Sequence, residues 1–358
     1  MSERKHYIDN IRWATVALVI LYHVVYIFNS VGVIRNIDMK GIPQMDALLY
    51  FVYPWFMVLL FVVAGISARY SLERRNTKVF MKERVKRLLV PSVAGIFILG
   101  WVSGWVTNQF TDMFGENGDM ISGVLKYFIY CMCGIGPLWF AHELFLASMV
   151  LLLFRAVDKE DRLFRLAGKA NEIVILLLGL VLWGSSMILN TPVIEVYRNG
   201  IYIFAFLLGY YVFSHERITD MLVKYRWILL AAAVAEGIGY TICYFGENYT
   251  TQECLQSFFT NAYCYTAILA MLGCFKAWGN KQSKLSVYMT ERNFGFYVLH
   301  YPVMILIAYG VVKYFNFPMI CNYAVILAAE LLVLPVVYEI ISRIPIVRFL
   351  LLGQSKKA

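Results

Sequence analysis

Asp9, Arg12 and His23 stand in the first apolar stretch of the chain, and their types and spacing suit proton transfer beside a fixed positive charge. A neutral imidazole can take or give a proton near neutral pH, or carry an acyl group covalently. A guanidinium can hold a phosphate or a developing oxyanion. On a helix, eleven residues turn about 20° beyond three full turns, so Arg12 and His23 share a face about 16 Å apart along the axis. Asp9, one turn before Arg12, is placed to orient it. Taken singly, Arg12 reads equally as an anchor that snorkels to headgroups, and His23 as a core imidazole bonded to a neighbouring helix. Together they favour chemistry.

Four further groups carry candidate chemistry. Arg84 and Arg87 open an apolar block one helical turn apart, where two guanidinium groups can converge on a phosphate or anchor the helix to the membrane surface. His142 and Glu143 follow Trp139 and Phe140, an interfacial aromatic pair, and could touch a substrate there. His300 precedes Pro302, which frees a backbone carbonyl, and the span boundaries put His300 a turn or two inside the cytoplasmic face. Glu236 and Glu330 fall near the middle of two other apolar blocks, where ionisable groups are costly and mark pathways or sites. No His, Cys, Asp or Glu spacing suits a metal; Cys131 and Cys133 are too close for the usual pair.

These residues need apolar elements to hold them. Of 358 residues, 60% are hydrophobic and 15% charged, where a soluble chain carries about a quarter charged residues. Ten apolar blocks are near the ~20 residues that cross a bilayer, at roughly 11–30, 46–67, 88–108, 137–155, 173–190, 200–214, 227–245, 256–275, 294–313 and 320–341. The sixth is the shortest. The expected fold is all-α: one polytopic membrane domain over residues 1–358, with about ten transmembrane helices.

Charge orients it. In a ten-span chain all but five of the 32 Lys and Arg fall on the side of the two termini; the exceptions are Arg35, Lys40, Lys126, Arg198 and Lys313. Cytoplasmic loops are the positive ones, so both termini are expected in the cytoplasm of a cell inner (plasma) membrane protein. Cys131, Cys133 and Cys254 then lie outside, where a disulfide is chemically permitted. The +9 net charge is mostly a topology signal, and the basic run from Arg69 to Arg87 could also meet anionic lipid or a cytosolic anion. Nucleic acid is excluded as a partner, because no soluble domain presents a basic face.

In order and spacing, Asp9, Arg12 and His23 in the first span, the Arg84-x-x-Arg87 pair, the apolar run Phe56–Gly65, Leu138-Trp139-Phe140 and Tyr297…His300-x-Pro302 resemble the acyltransferase-3 family of bacterial membrane proteins. The resemblance covers nearly the whole chain. It implies transfer of an acyl group, commonly acetyl, from cytoplasmic acyl-CoA as co-substrate to a hydroxyl of a surface glycan or its lipid-linked precursor, with no tightly bound cofactor. It gives His23 the family's essential histidine position, and Arg12, Arg84 and Arg87 its arginine positions. Membrane lipids, acyl-CoA and the glycan are the implied partners. The rival reading is a transporter or flippase for a glycan or lipid-linked intermediate, which buried charges and broken helices would also suit.

Overall fold

The computed structural model describes residues 5–191 and 196–355. Arg4, Lys356 and Lys357, three of the charges used for orientation, lie outside those residues. The architecture is helical throughout the described residues, with one isolated antiparallel bridge, Asn190 to Arg198. Eight helices are long and apolar enough to cross a membrane. They are α1 (His6–Tyr26), α2 (Phe56–Arg74, within the span Pro43–Arg74), α3 (Thr77–Thr111), α5 (Gly136–Val157), α8 (Arg226–Tyr244), α9 (Phe258–Trp278), α10 (Lys284–Tyr314) and α11 (Met319–Arg343). Between them lie three shorter apolar helices, α4 (Gly123–Cys133), α6 (Glu172–Ser185) and α7 (Asn199–Tyr211). A final helix, α12, covers Pro345–Leu352.

Two of the expected spans are therefore shorter than a full crossing. Helix α6 has 14 residues and α7 has 13, about 20 Å each at 1.5 Å per residue. Helix α6 ends where the Ser185 and Ser186 hydroxyls donate back to the Leu182 and Trp183 carbonyls, an alternative to continued helix. Helix α4 is an apolar element in a stretch that reads as loop. Its 11 residues, capped by Ser122 at the start and followed by Gly134, fall below the length at which periodicity separates a helix from a loop. All seven cysteines are free thiols.

The chain forms two compact units, each from three segments: Met1–Thr15, Tyr50–Arg84 and Glu143–Thr290 in the first, Val16–Leu49, Val85–His142 and Glu291–Ala358 in the second. In the first, α2 and α7 meet backbone to backbone. A Cβ on Gly65 would fall 2.0 Å from the Phe206 carbonyl oxygen, and one on Gly209 would fall 2.0 Å from that of Val62. Small residues let helices approach where lipid supplies no hydrophobic drive. In the second unit α3 and α4 use the same device: a Cβ on Gly134 would strike the Gly100 carbonyl, and one on Gly104 the Tyr130 backbone. Helix α3 carries two π-helical turns, Val85–Leu89 and Ile96–Gly100.

Large apolar side chains remain exposed on α6 (Leu176, Leu180, Val181) and α11 (Leu332, Val333, Val336). In water such rows would be a liability, whereas hydrocarbon solvates them. The protein is a multi-pass membrane protein.

Candidate active site

Helix α1 begins at His6, five residues ahead of the expected block, because Tyr7 and Asn10 are held by the segment after α9. The Tyr7 amide donates to Asn280 Oδ1, and Asn10 Nδ2 donates to the carbonyls of Gly279 and Lys281 at 2.6 and 2.8 Å. Arg12 thus lies in the second turn of the helix and His23 in its last. Arg12 is fixed from two sides within the first unit. Nη1 meets Asp9 Oδ1 at 3.2 Å, and Nη2 donates to Ser67 Oγ on α2 at 2.6 Å. Ser67 is a ligand of Arg12 that the sequence offers no means of finding.

In the second unit His23 meets His300. The His300 Nε2 to His23 Nδ1 distance is 3.3 Å, and the ring centroids are 5.0 Å apart. Each ring also faces a helix carbonyl, His23 Nδ1 at 2.8 Å from Val19 O and His300 Nδ1 at 2.7 Å from Tyr297 O. A carbonyl only accepts, so both imidazoles carry the proton on Nδ1. His300 Nε2 then accepts from the shared His23 N–H. The lone pair of His23 stays on Nε2, for which the described residues supply no hydrogen-bond partner. That tautomer is the one a general base needs. The pair also places His300 level with His23, deeper than the boundaries 294–313 imply, because α10 starts ten residues earlier at Lys284 and puts His300 in its middle.

Aromatic rings enclose the pair. Tyr22, Tyr26 and Tyr301 set ring centroids 5.2, 5.7 and 5.1 Å from that of His23, all near edge-on. The Tyr301 hydroxyl donates to Asn36 Oδ1, and Asn36 Nδ2 donates to Thr107 Oγ1 on α3 at 2.7 Å. The segment after α1 is thereby tied down beside the imidazoles. On the other flank the Tyr297 hydroxyl donates to the Pro137 carbonyl, and Phe140 packs edge-on against Tyr297 at 5.3 Å. Gly136, at φ +46, leaves only 3.3 Å between an added Cβ and the Tyr301 ring. The segments Leu138–Phe140 and Tyr297–Pro302, far apart in sequence, are thus one assembly around His300.

The other candidates are dispersed. His142 hydrogen-bonds the Ser92 backbone on α3 in the second unit. Glu143, in the first, is 2% exposed with Oε2 unpartnered among the described residues. Glu330 on α11 is 0% exposed with neither oxygen hydrogen-bonded. It lies one turn beyond Ile326, which packs in the core cluster with Val24 and Tyr301. Buried carboxyl groups without partners cost several kcal/mol and mark places able to receive a ligand or proton. Glu236 on α8 likewise has its Oε2 unpartnered among the described residues. Arg84 packs over the Phe80 ring at 4.6 Å, while Arg87 is exposed in the π turn Val85–Leu89. The i→i+5 bonding of that turn takes Arg87 off the α-helical spacing from Arg84 that three residues would give.

A family model described as an acyltransferase domain, acyltransferase-3, matches residues 5–339. The chain belongs to the acyltransferase-3 family. Comparison with curated proteins and with solved structures gives no match. The matched range takes in seven of the eight long helices whole and the eighth up to Glu339, with both imidazoles and the three arginines, so this membrane acyltransferase presents its histidine pair inside the domain that defines the family.

Proposed function

We propose that this acyltransferase moves an acyl group, commonly acetyl, from cytoplasmic acyl-CoA to a hydroxyl of a surface glycan or its lipid-linked precursor at the cell inner membrane. The observation that carries the reading is the His23 imidazole, held through Nδ1 by the Val19 carbonyl and by His300, with Nε2 left without a partner among the described residues.

His23 Nε2 takes the proton from the acceptor hydroxyl as its oxygen attacks the thioester carbonyl. The C–S bond then breaks, and the imidazolium returns the proton to the departing thiolate, giving ester and free CoA. His300 accepts the His23 Nδ1–H bond and holds the ring through this cycle, as the third group of a nucleophile–base arrangement does. Arg12, Arg84 and Arg87 are the cations for the phosphates of acyl-CoA, which cannot enter hydrocarbon, with Asp9 and Ser67 fixing the first of them. The uncharged pantetheine arm is the part of the donor that can pass inward.

His23→Ala should lower acyl transfer by at least ~10²-fold, the range of general acid–base catalysis, while the protein still inserts and purifies as a single species. Purified protein, radiolabelled acetyl-CoA and a glycan acceptor make the assay. Wild-type rates in a well-folded His23→Ala protein would sink the mechanism.

A further inference from the structure

The chain leaving α1 folds, within the second unit, into a loop over residues 33–41 whose two ends are clamped, the form of an Ω-loop. Buried Asn29 grips one end with its whole amide: Oδ1 accepts from the Val33 amide at 3.1 Å, and Nδ2 donates to the Val33 carbonyl at 3.0 Å. At the other end the Gly41 amide donates to the Phe28 carbonyl at 2.7 Å. The Ile42 amide donates to the Tyr323 hydroxyl at 3.2 Å, and a Cβ on Gly41 would come within 2.0 Å of that hydroxyl. The base is therefore held through its backbone.

The tip is held through side chains. It turns Ile34, Asp38 and Lys40 to solvent and Ile37 inward, where Ile37 is 0% exposed in one cluster with Val24, Val106, Tyr301 and Met304 from α1, α3 and α10. Val24 and Tyr301 each follow one of the paired histidines, so Ile37 closes the interior just beyond His23 and His300. Asn36 is the latch: Oδ1 accepts from the Tyr301 hydroxyl, and Nδ2 donates to Thr107 Oγ1 and, at 3.4 Å, to the Ser103 carbonyl. The Tyr26 hydroxyl donates to the Ile34 carbonyl at 2.6 Å. Tyr26 and Tyr301 are also two of the rings that enclose His23. Tip and imidazole thus share two neighbours, and lifting the one loosens the surroundings of the other.

We propose that residues 33–41 form a gate: the base stays clamped while the tip lifts Ile37 out, and the opening admits the acceptor to His23 from the C-terminal end of α1. Active-site loops of this kind seclude a reaction and open for substrate. Arg12, assigned above to the donor, stands near the other end of the helix. That an acceptor passes rests on the function proposed above; the opening does not. Purified full-length protein in detergent therefore carries Met304→Cys, a 0% exposed position in the cluster that Ile37 joins. It is treated with a charged maleimide, and labelling is read by mass spectrometry at the peptide holding residue 304, apart from the native thiols. Asn36→Ala removes the latch and should speed labelling at least tenfold. Asn36→Cys with Thr107→Cys replaces two side chains that hydrogen-bond at 2.7 Å, and copper phenanthroline oxidises the pair to a disulfide. In that locked form, labelling at 304 and acyl transfer should each fall at least tenfold and recover after reduction. The lock decides the matter even if Asn36→Ala does not fold. Labelling unchanged by latch removal and by the lock, or wild-type transfer by the locked protein, would overturn the gate. Labelling that follows the latch and the lock while no form transfers acyl groups would uphold the gate and remove the function above.

Discussion

A histidine becomes a base of known tautomer only when something holds its other nitrogen, and in this chain that task is shared. Val19 O is four residues back on the same helix; His300 comes from 277 residues away. The first contact follows from helix geometry, and the face shared by His23 and Arg12 was legible for the same reason. The second was not, because no periodicity relates residues on separate helices, and His300 read as a separate candidate a turn or two inside the cytoplasmic face. The pairing predicts a particular kinetic signature. His300→Phe should lower kcat about 10- to 100-fold, the equivalent of losing one ~1.4–2.7 kcal/mol hydrogen bond in the transition state, with KM for acyl-CoA changed less than about twofold. His300→Gln, whose amide oxygen can still accept from Nδ1–H, should recover part of the rate. If both variants behave alike, His300 only fills space. Arg12 behaves differently: about a third of its side chain is exposed, so its pair with Asp9 contributes at most ~1 kcal/mol and serves orientation.

Helices were legible where apolar runs are long and blurred where packing or polar groups set the ends. Ser185 and Ser186 stop α6 early, and contacts of Tyr7 and Asn10 start α1 early; neither effect is local hydropathy. The two π turns of α3 were equally hidden, since nothing in Val85–Leu89 or Ile96–Gly100 breaks an α pattern. Helix-to-helix approach is the better-defined energetic feature at this scale. Because a Cβ on Gly65 would reach 2.0 Å from Phe206 O, Gly65→Ala must push α2 and α7 apart, at a cost of ~1–3 kcal/mol or more. The apparent melting temperature in detergent should fall by several degrees. Gly184→Ala on α6, where nothing lies within 4 Å, is the matched control and should leave it unchanged or slightly raised. Equal behaviour of the two variants would remove the close-approach account of α2 and α7.

For the whole molecule, the all-α membrane fold was legible from composition alone, while the number of crossings depends on how α4, α6 and α7 sit in a bilayer. If α6 and α7 each cross and α4 does not, ten crossings put both termini on the side that holds all but five of the Lys and Arg residues. A green fluorescent protein fused after Ala358 should then fluoresce, and alkaline phosphatase at the same point should be inactive. The opposite pair of results would put the C-terminus outside and overturn this orientation. The two units add a different constraint. The chain passes between them at Thr15, Leu49, Arg84, His142 and Thr290, and each passage falls within a helix rather than in a connecting loop. Neither unit is a continuous stretch of gene, so no single cut, fusion or duplication can deliver one without the other.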